Sequence, residues 1–190
     1  MNFPSISAAR RIERLTPPDG PVRMVLDTDT YNEIDDQFAI AHALLSPDRL
    51  RVEAIYAAPF HNRRAASPAD GMEKSYQEIL LILDRLGRSD RAFACRGAKA
   101  WLTAEDRPQP SDAAADLVAR ALASDEDDPL YVVAIGAITN VASAMLQNPG
   151  IIERIVVVWL GGQPGSWHTT REFNLQGDMK AARVVLNSGV

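Results

Sequence analysis

Cysteine is nearly absent: Cys95 is the only one among 190 residues. That excludes an intrachain disulfide framework and a thiolate metal site, and nothing demands an oxidising compartment. Basic residues are outnumbered, the formal charge being -5, and no basic stripe offsets this. A nucleic-acid backbone is therefore not an expected partner, and a small neutral or cationic substrate suits the chain better than a polyanion. Long apolar runs are missing too. Those present, such as 155–160, are strand-length and too short to cross a bilayer, so no membrane partner is expected. The first twenty residues carry Arg10, Arg11 and Arg14 without the apolar core of a secretory signal, which predicts a cytoplasmic location.

With 46% apolar and 24% charged residues, the composition is that of an ordinary soluble protein. The length suffices for one sizeable core. Strand and helix patterns alternate along it. Apolar or β-branched runs predict strands at 22–26, 51–57, 91–95, 130–135 and 154–160. Helical patterns cover 33–45, 71–86, 111–123 and 139–147, and a last helix starts near Asp178. In the first of these, Ile34, Phe38, Ala41 and Leu45 recur at helical spacing. Repeated βα alternation predicts an α/β fold with a doubly wound, mostly parallel sheet in three α/β/α layers. Residues 21–190 form the expected domain, and 1–20 an N-terminal extension.

The densest chemistry lies just after the first strand. Asp27, Asp29, Glu33, Asp35 and Asp36 fall within ten residues. Acidic residues in a helix's first turn are favourable on dipole grounds alone, and one Asp-Asp pair would need no further cause. The whole cluster, at the carboxyl end of a buried strand, lies where ligands bind in open α/β sheets. Carboxylates crowded there repel one another unless a cation neutralises them, and all-oxygen ligation suits calcium or magnesium. Further on, 135–140 joins a buried strand to a helix, so the Ile135 carbonyl is a candidate backbone ligand. Gly161 and Gly162 end another strand. Glu172 and Asn174, two apart in a segment expected to be extended, would point to one side and can grip adjacent hydroxyls of a sugar.

Together these motifs resemble the inosine-uridine-preferring nucleoside hydrolase family. The likeness rests on Asp27-Thr28-Asp29 with Asp35-Asp36, on Gly136-Ala137-Ile138-Thr139-Asn140, on Gly161-Gly162, and on Glu172-Phe173-Asn174 followed by Asp178 and Ala181-Ala182. It implies calcium-dependent hydrolysis of the N-glycosidic bond of a small-molecule ribonucleoside, giving ribose and free base, with a homo-oligomeric assembly expected. By the same resemblance Asp29 is a calcium ligand and takes the proton from the attacking water. Asp36 and the Ile135 carbonyl are further ligands. Asp35, Asn62, Glu172 and Asn174 hold the ribose, and Asp27 supports the site from behind. The chemistry is coherent, because cleavage develops oxocarbenium-like charge and a divalent cation acidifies water beside it.

Three departures stand out. The family's proline-glycine turn is replaced by the longer Thr30-Tyr31-Asn32-Glu33-Ile34 segment. Leu160 stands where methionine is common, and the 163–170 loop has no match to the family's sugar-binding asparagine; Trp167 there is expected to pack rather than stack on a base. The sequence stops at Val190, before the family's histidine-aspartate pair. The chain thus reads as the N-terminal part of such an enzyme or a truncated gene product, expected to be a poor catalyst. A relative that binds a ribosyl ligand or calcium without turnover is one alternative. A magnesium-dependent phosphatase of the haloacid dehalogenase type is another, although Lys99 and Lys180 are poorly placed for it.

Overall fold

The computed structural model describes residues 2–88 and 90–190. Twelve elements follow in chain order: α1 (Ala8–Leu15), β1 (Val22–Thr28), α2 (Ile34–Leu44), β2 (Leu50–Ala57), α3 (Pro68–Arg85), β3 (Ala94–Arg96), α4 (Asp112–Leu122), β4 (Leu130–Ala134), α5 (Thr139–Gln147), β5 (Ile155–Trp159), α6 (Phe173–Gly177) and α7 (Met179–Ser188). The strands form one parallel sheet in the order β3-β2-β1-β4-β5. The chain winds outward from β1 through β2 to β3, then returns to β4 on the other side of β1. This reversal puts the topological switch point between β1 and β4, where a parallel sheet opens a crevice at its carboxyl edge.

Alternation along β4 divides the core. Leu130, Val132 and Ala134 face α4, α5 and α7, whereas Tyr131 and Val133 face the layer of α2 and α3. The helices start where the sequence provides caps. Ser67 and Ser111 accept backbone N–H bonds from Asp70 and Ala114, both at 3.1 Å, and open α3 and α4. Outside the sheet, α1 is tied down by Arg14, which donates to the carbonyls of Ile152 and Glu153, and by Arg10, which pairs with Asp127 at 2.9 Å. Among the described residues no helix is long and apolar enough to cross a membrane.

Two expectations change, and the orientation of α2 is set by packing. The stripe Ile34, Phe38, Leu45 is the outer face of α2, at 68%, 71% and 69% exposure, while Asp36, Ile40, Ala43 and Leu44 are buried. This helix is apolar on two sides, so periodicity does not choose between them; packing on the sheet turns Ile40 and Asp36 inward. The strand expected at 91–95 is a 3-10 turn over Arg91–Phe93 followed by β3. There Asp90 accepts from Ala92 N at 3.0 Å, and only Ala94–Arg96 reach the end of β2. The segment around Glu172 and Asn174 is not extended beyond Glu172, because α6 begins at Phe173.

Candidate active site

Since β1 is flanked on both sides, whatever ends it is buried by its neighbours. Asp27 is fully buried within the strand, paired with Tyr56 on β2 and Ala134 on β4. Asn140 Nδ2 donates to its Oδ1 at 2.7 Å and to the Ala57 carbonyl at 3.2 Å, while Asn140 Oδ1 accepts from Ala98 N at 2.7 Å. These bonds bind the ends of β1 and β2 to the segment after β3. Gly97 permits this approach, since a Cβ there would lie 2.0 Å from the Ala57 carbonyl oxygen. Among the described residues Asp27 Oδ2 has no hydrogen-bond partner.

Past the strand end, Asp29 is 2% exposed and Asp36, in the first turn of α2, is 4% exposed. Asp29 Oδ2 accepts from Asn32 Nδ2 at 2.9 Å, and Asp36 Oδ1 accepts from the Thr28 hydroxyl. Burial raises all three carboxyls: Asp27 to about 7 against the Asn140 bond, and Asp36 to about 7 against the Thr28 bond. Asp29 reaches about 8, pushed by burial and then by the charge of Asp36. Among the described residues none of the three has an ion-pair partner. Glu33 and Asp35, both exposed, bring carboxylate oxygens within 4.8 Å of each other and of one on Asp36. Buried carboxylates without a counter-charge, one with an orphaned oxygen, fit a hard divalent cation.

At the end of β4, the Ile135 carbonyl accepts from Asn174 Nδ2 at 3.0 Å, and the same amide reaches the Leu160 carbonyl at 2.9 Å. Asn174 thus ties the ends of β4 and β5 together. Glu172 is engaged by the backbone: its oxygens accept from Gly162 N, Asn174 N and Leu175 N, each at 2.8 Å. It caps α6, and its side chain is turned to these amides. Asp178 serves similarly, accepting from Leu102 N, Thr139 Oγ1 and Ala181 N. Asn62 Nδ2 donates to Asn32 Oδ1 at 2.7 Å. Next to this rim a cavity of about 230 Å3 opens between Phe60, His61, Trp101, Ala137 and Phe173. Trp167, expected to pack, is 54% exposed, and its ring lies beside that of His168, centroids 5.1 Å apart.

Asp27, Asp29, Asp36 and the Ile135 carbonyl are therefore gathered at the switch point, with Asp35 on its exposed rim. Sequence reasoning overlooked Asn32 and Asn140. A signal existed for Asn32, which closes a turn onto Asp29 with its N–H 2.7 Å from that residue's carbonyl oxygen. Asn140 closes the 136–140 motif, but its partners lie far away in sequence, so no local spacing gave it this role.

Comparison with known proteins gives the family and the fold. A pyrimidine-specific ribonucleoside hydrolase, RihA, of Escherichia coli strain SMS-3-5 is 30% identical over 88% of this chain and 57% of its own length. Its counterpart in Citrobacter koseri is 31% identical over 82% and 54%. The chain thus spans little more than half the length of these curated relatives. Among solved structures, a purine-preferring ribonucleoside hydrolase from Gardnerella vaginalis superposes with a TM-score of 0.70 at 23% identity, over 88% of this chain and 58% of that one. The type III effector XopQ, solved with adenosine diphosphate ribose, gives 0.68 at 21% identity, over 97% and 60%. Both share the fold. The family model for inosine-uridine preferring nucleoside hydrolases matches residues 24–190, from β1 through the end of α7, and this chain belongs to that family.

Proposed function

We propose that this chain provides the metal-binding and ribose-binding part of a calcium-dependent ribonucleoside hydrolase site. The observation that carries it is the set of three buried carboxylates without a counter-charge at the β1/β4 switch point. Asp29, Asp36 and the Ile135 carbonyl would hold the cation, with Asp27 behind them. Calcium suits this oxygen set, and when bound it supplies positive charge that favours the ionised carboxylates and acidifies nearby water. Asp29 accepts the proton of the attacking water, its Oδ1 lying toward Gly136. Asp35 on the rim and Asn174 at the strand ends face the ribose, whose orientation sets the line of attack. In this role Glu172 acts by fixing Asn174 through the α6 cap. The cavity beside the site has aromatic walls in Phe60, Trp101 and Phe173 and suits a planar base. The E. coli and Citrobacter relatives, named as ribonucleoside hydrolases, support this choice of substrate class.

The test begins with binding. Calcium titrated into the chelator-treated chain should bind at pH 8, and Asp29→Asn, which removes a charge at nearly constant shape, should abolish this. Release of base from inosine, uridine and cytidine is then followed with calcium and with excess chelator. Equal calcium affinity in Asp29→Asn, or hydrolysis indifferent to chelator, would overturn the assignment.

A further inference from the structure

The segment that replaces the family's proline-glycine turn contains one residue with every polar group engaged. Asn32 is 4% exposed. Its N–H donates to the Asp29 carbonyl at 2.7 Å and its Nδ2 to Asp29 Oδ2 at 2.9 Å. Its own carbonyl accepts from Arg64 Nη1 at 2.8 Å, and its Oδ1 accepts from Asn62 Nδ2 at 2.7 Å. Asn62 is itself braced, since its Oδ1 accepts from Arg64 N at 2.8 Å and its carbonyl from Ala65 N at 3.1 Å. The Asn32 NH2 is on Asp29 and its oxygen on Asn62, the orientation that a cation-bound, ionised Asp29 requires, because an ionised carboxylate only accepts.

We propose that Asn32 is a positioning residue for Asp29, and that Asn62 acts through Asn32 rather than on the sugar. The relay engages Asp29 Oδ2 and restrains the carboxylate rotamer. Oδ1 is left on the side of Gly136, whose added Cβ would sit 3.0 Å from it. One oxygen is thereby committed to support and the other kept for the cation and the water. This rests on the assignment of Asp29 as ligand and proton acceptor. The longer turn then has a physical purpose: it carries an amide into a place where a proline-glycine pair has no side-chain donor.

The test uses the full chain with two readouts. In 15N spectra of the calcium-free protein, the Asn32 NH2 resonances should be protected from exchange. Asp29→Ala should remove that protection, and Asn62→Leu should shift them. By calorimetry, Asn32→Leu should weaken calcium binding about 10–100-fold, the usual cost of losing a group that orients a ligand. Asn62→Leu, at the half-buried outer end and safer for folding, should weaken it less, and the double variant no more than Asn32→Leu. Unchanged calcium affinity in both single variants, or Asn32 resonances indifferent to Asp29→Ala, would overturn the relay. Absence of calcium binding in the unmodified chain, with the amide coupling intact, would instead remove the calcium assignment and support the positioning of Asp29 by Asn32.

Discussion

Raising the pH of the calcium-free chain from 5 to 8 should destabilise it, although most proteins vary little across that range. Asp27 and Asp36 have carboxyls raised from 3.8 to about 7, and Asp29 to about 8. In the unfolded chain these groups are ionised above pH 5, whereas the folded state retains their protons. The folded state thus binds more protons, so unfolding free energy falls as pH rises through the folded values. Each such proton contributes about 1.4 kcal/mol per pH unit. If relaxation and entering water leave one net proton of the three, the loss from pH 5 to 7 is still about 3 kcal/mol, a large share of a typical domain's stability. Calcium should reverse the trend by binding the ionised form. Urea unfolding in chelator at pH 5, 6, 7 and 8, followed by tryptophan fluorescence and repeated with calcium, reads this directly. Asp27→Asn keeps an acceptor for Asn140 and removes one proton from the balance, so its profile should be flatter. Stability that is level or rises from pH 5 to 8 in chelator would refute the reasoning.

Three further perturbations have defined outcomes. Gly136→Ala places a Cβ 3.0 Å from both Ala58 Cβ and Asp29 Oδ1, so it should cost about 1–3 kcal/mol and weaken calcium binding; wild-type values in urea unfolding and calorimetry would contradict this. Glu172→Ala leaves three backbone amides without an acceptor and should cost about 1–2 kcal/mol, with faster hydrogen exchange at Asn174 and Leu175. Unaltered exchange there would show that the cap is dispensable. Met145→Ala, in the fully buried layer of α5, should cost about 2–5 kcal/mol without altering calcium affinity; a change in affinity larger than the change in stability would reveal coupling that the fold does not predict.

Much of this protein could be read along the chain, where the cause of a feature is local. The apolar run before Asp27, the serines ahead of α3 and α4, and the Thr139–Gln147 helix all depend on residues within a few positions. So did the expectation that acidic residues gather at a strand end, because strand, turn and helix succeed one another there. What sequence left open were choices settled by partners far away. α2 has two apolar sides, and only the sheet beneath it selects Ile40 over Phe38. Glu172 and Asn174 suggest a shared role by spacing, yet the amides of Gly162 and Leu175 make the glutamate a cap, while the ends of β4 and β5 orient the asparagine. Asn140 is 113 positions from Asp27, and Asn62 is 30 from Asn32, so no periodicity could pair them. Hydrogen-bond partners of buried polar groups are set by which strand ends meet. The winding reversal at β1 and β4 made that decision, and it exists only in the assembled sheet.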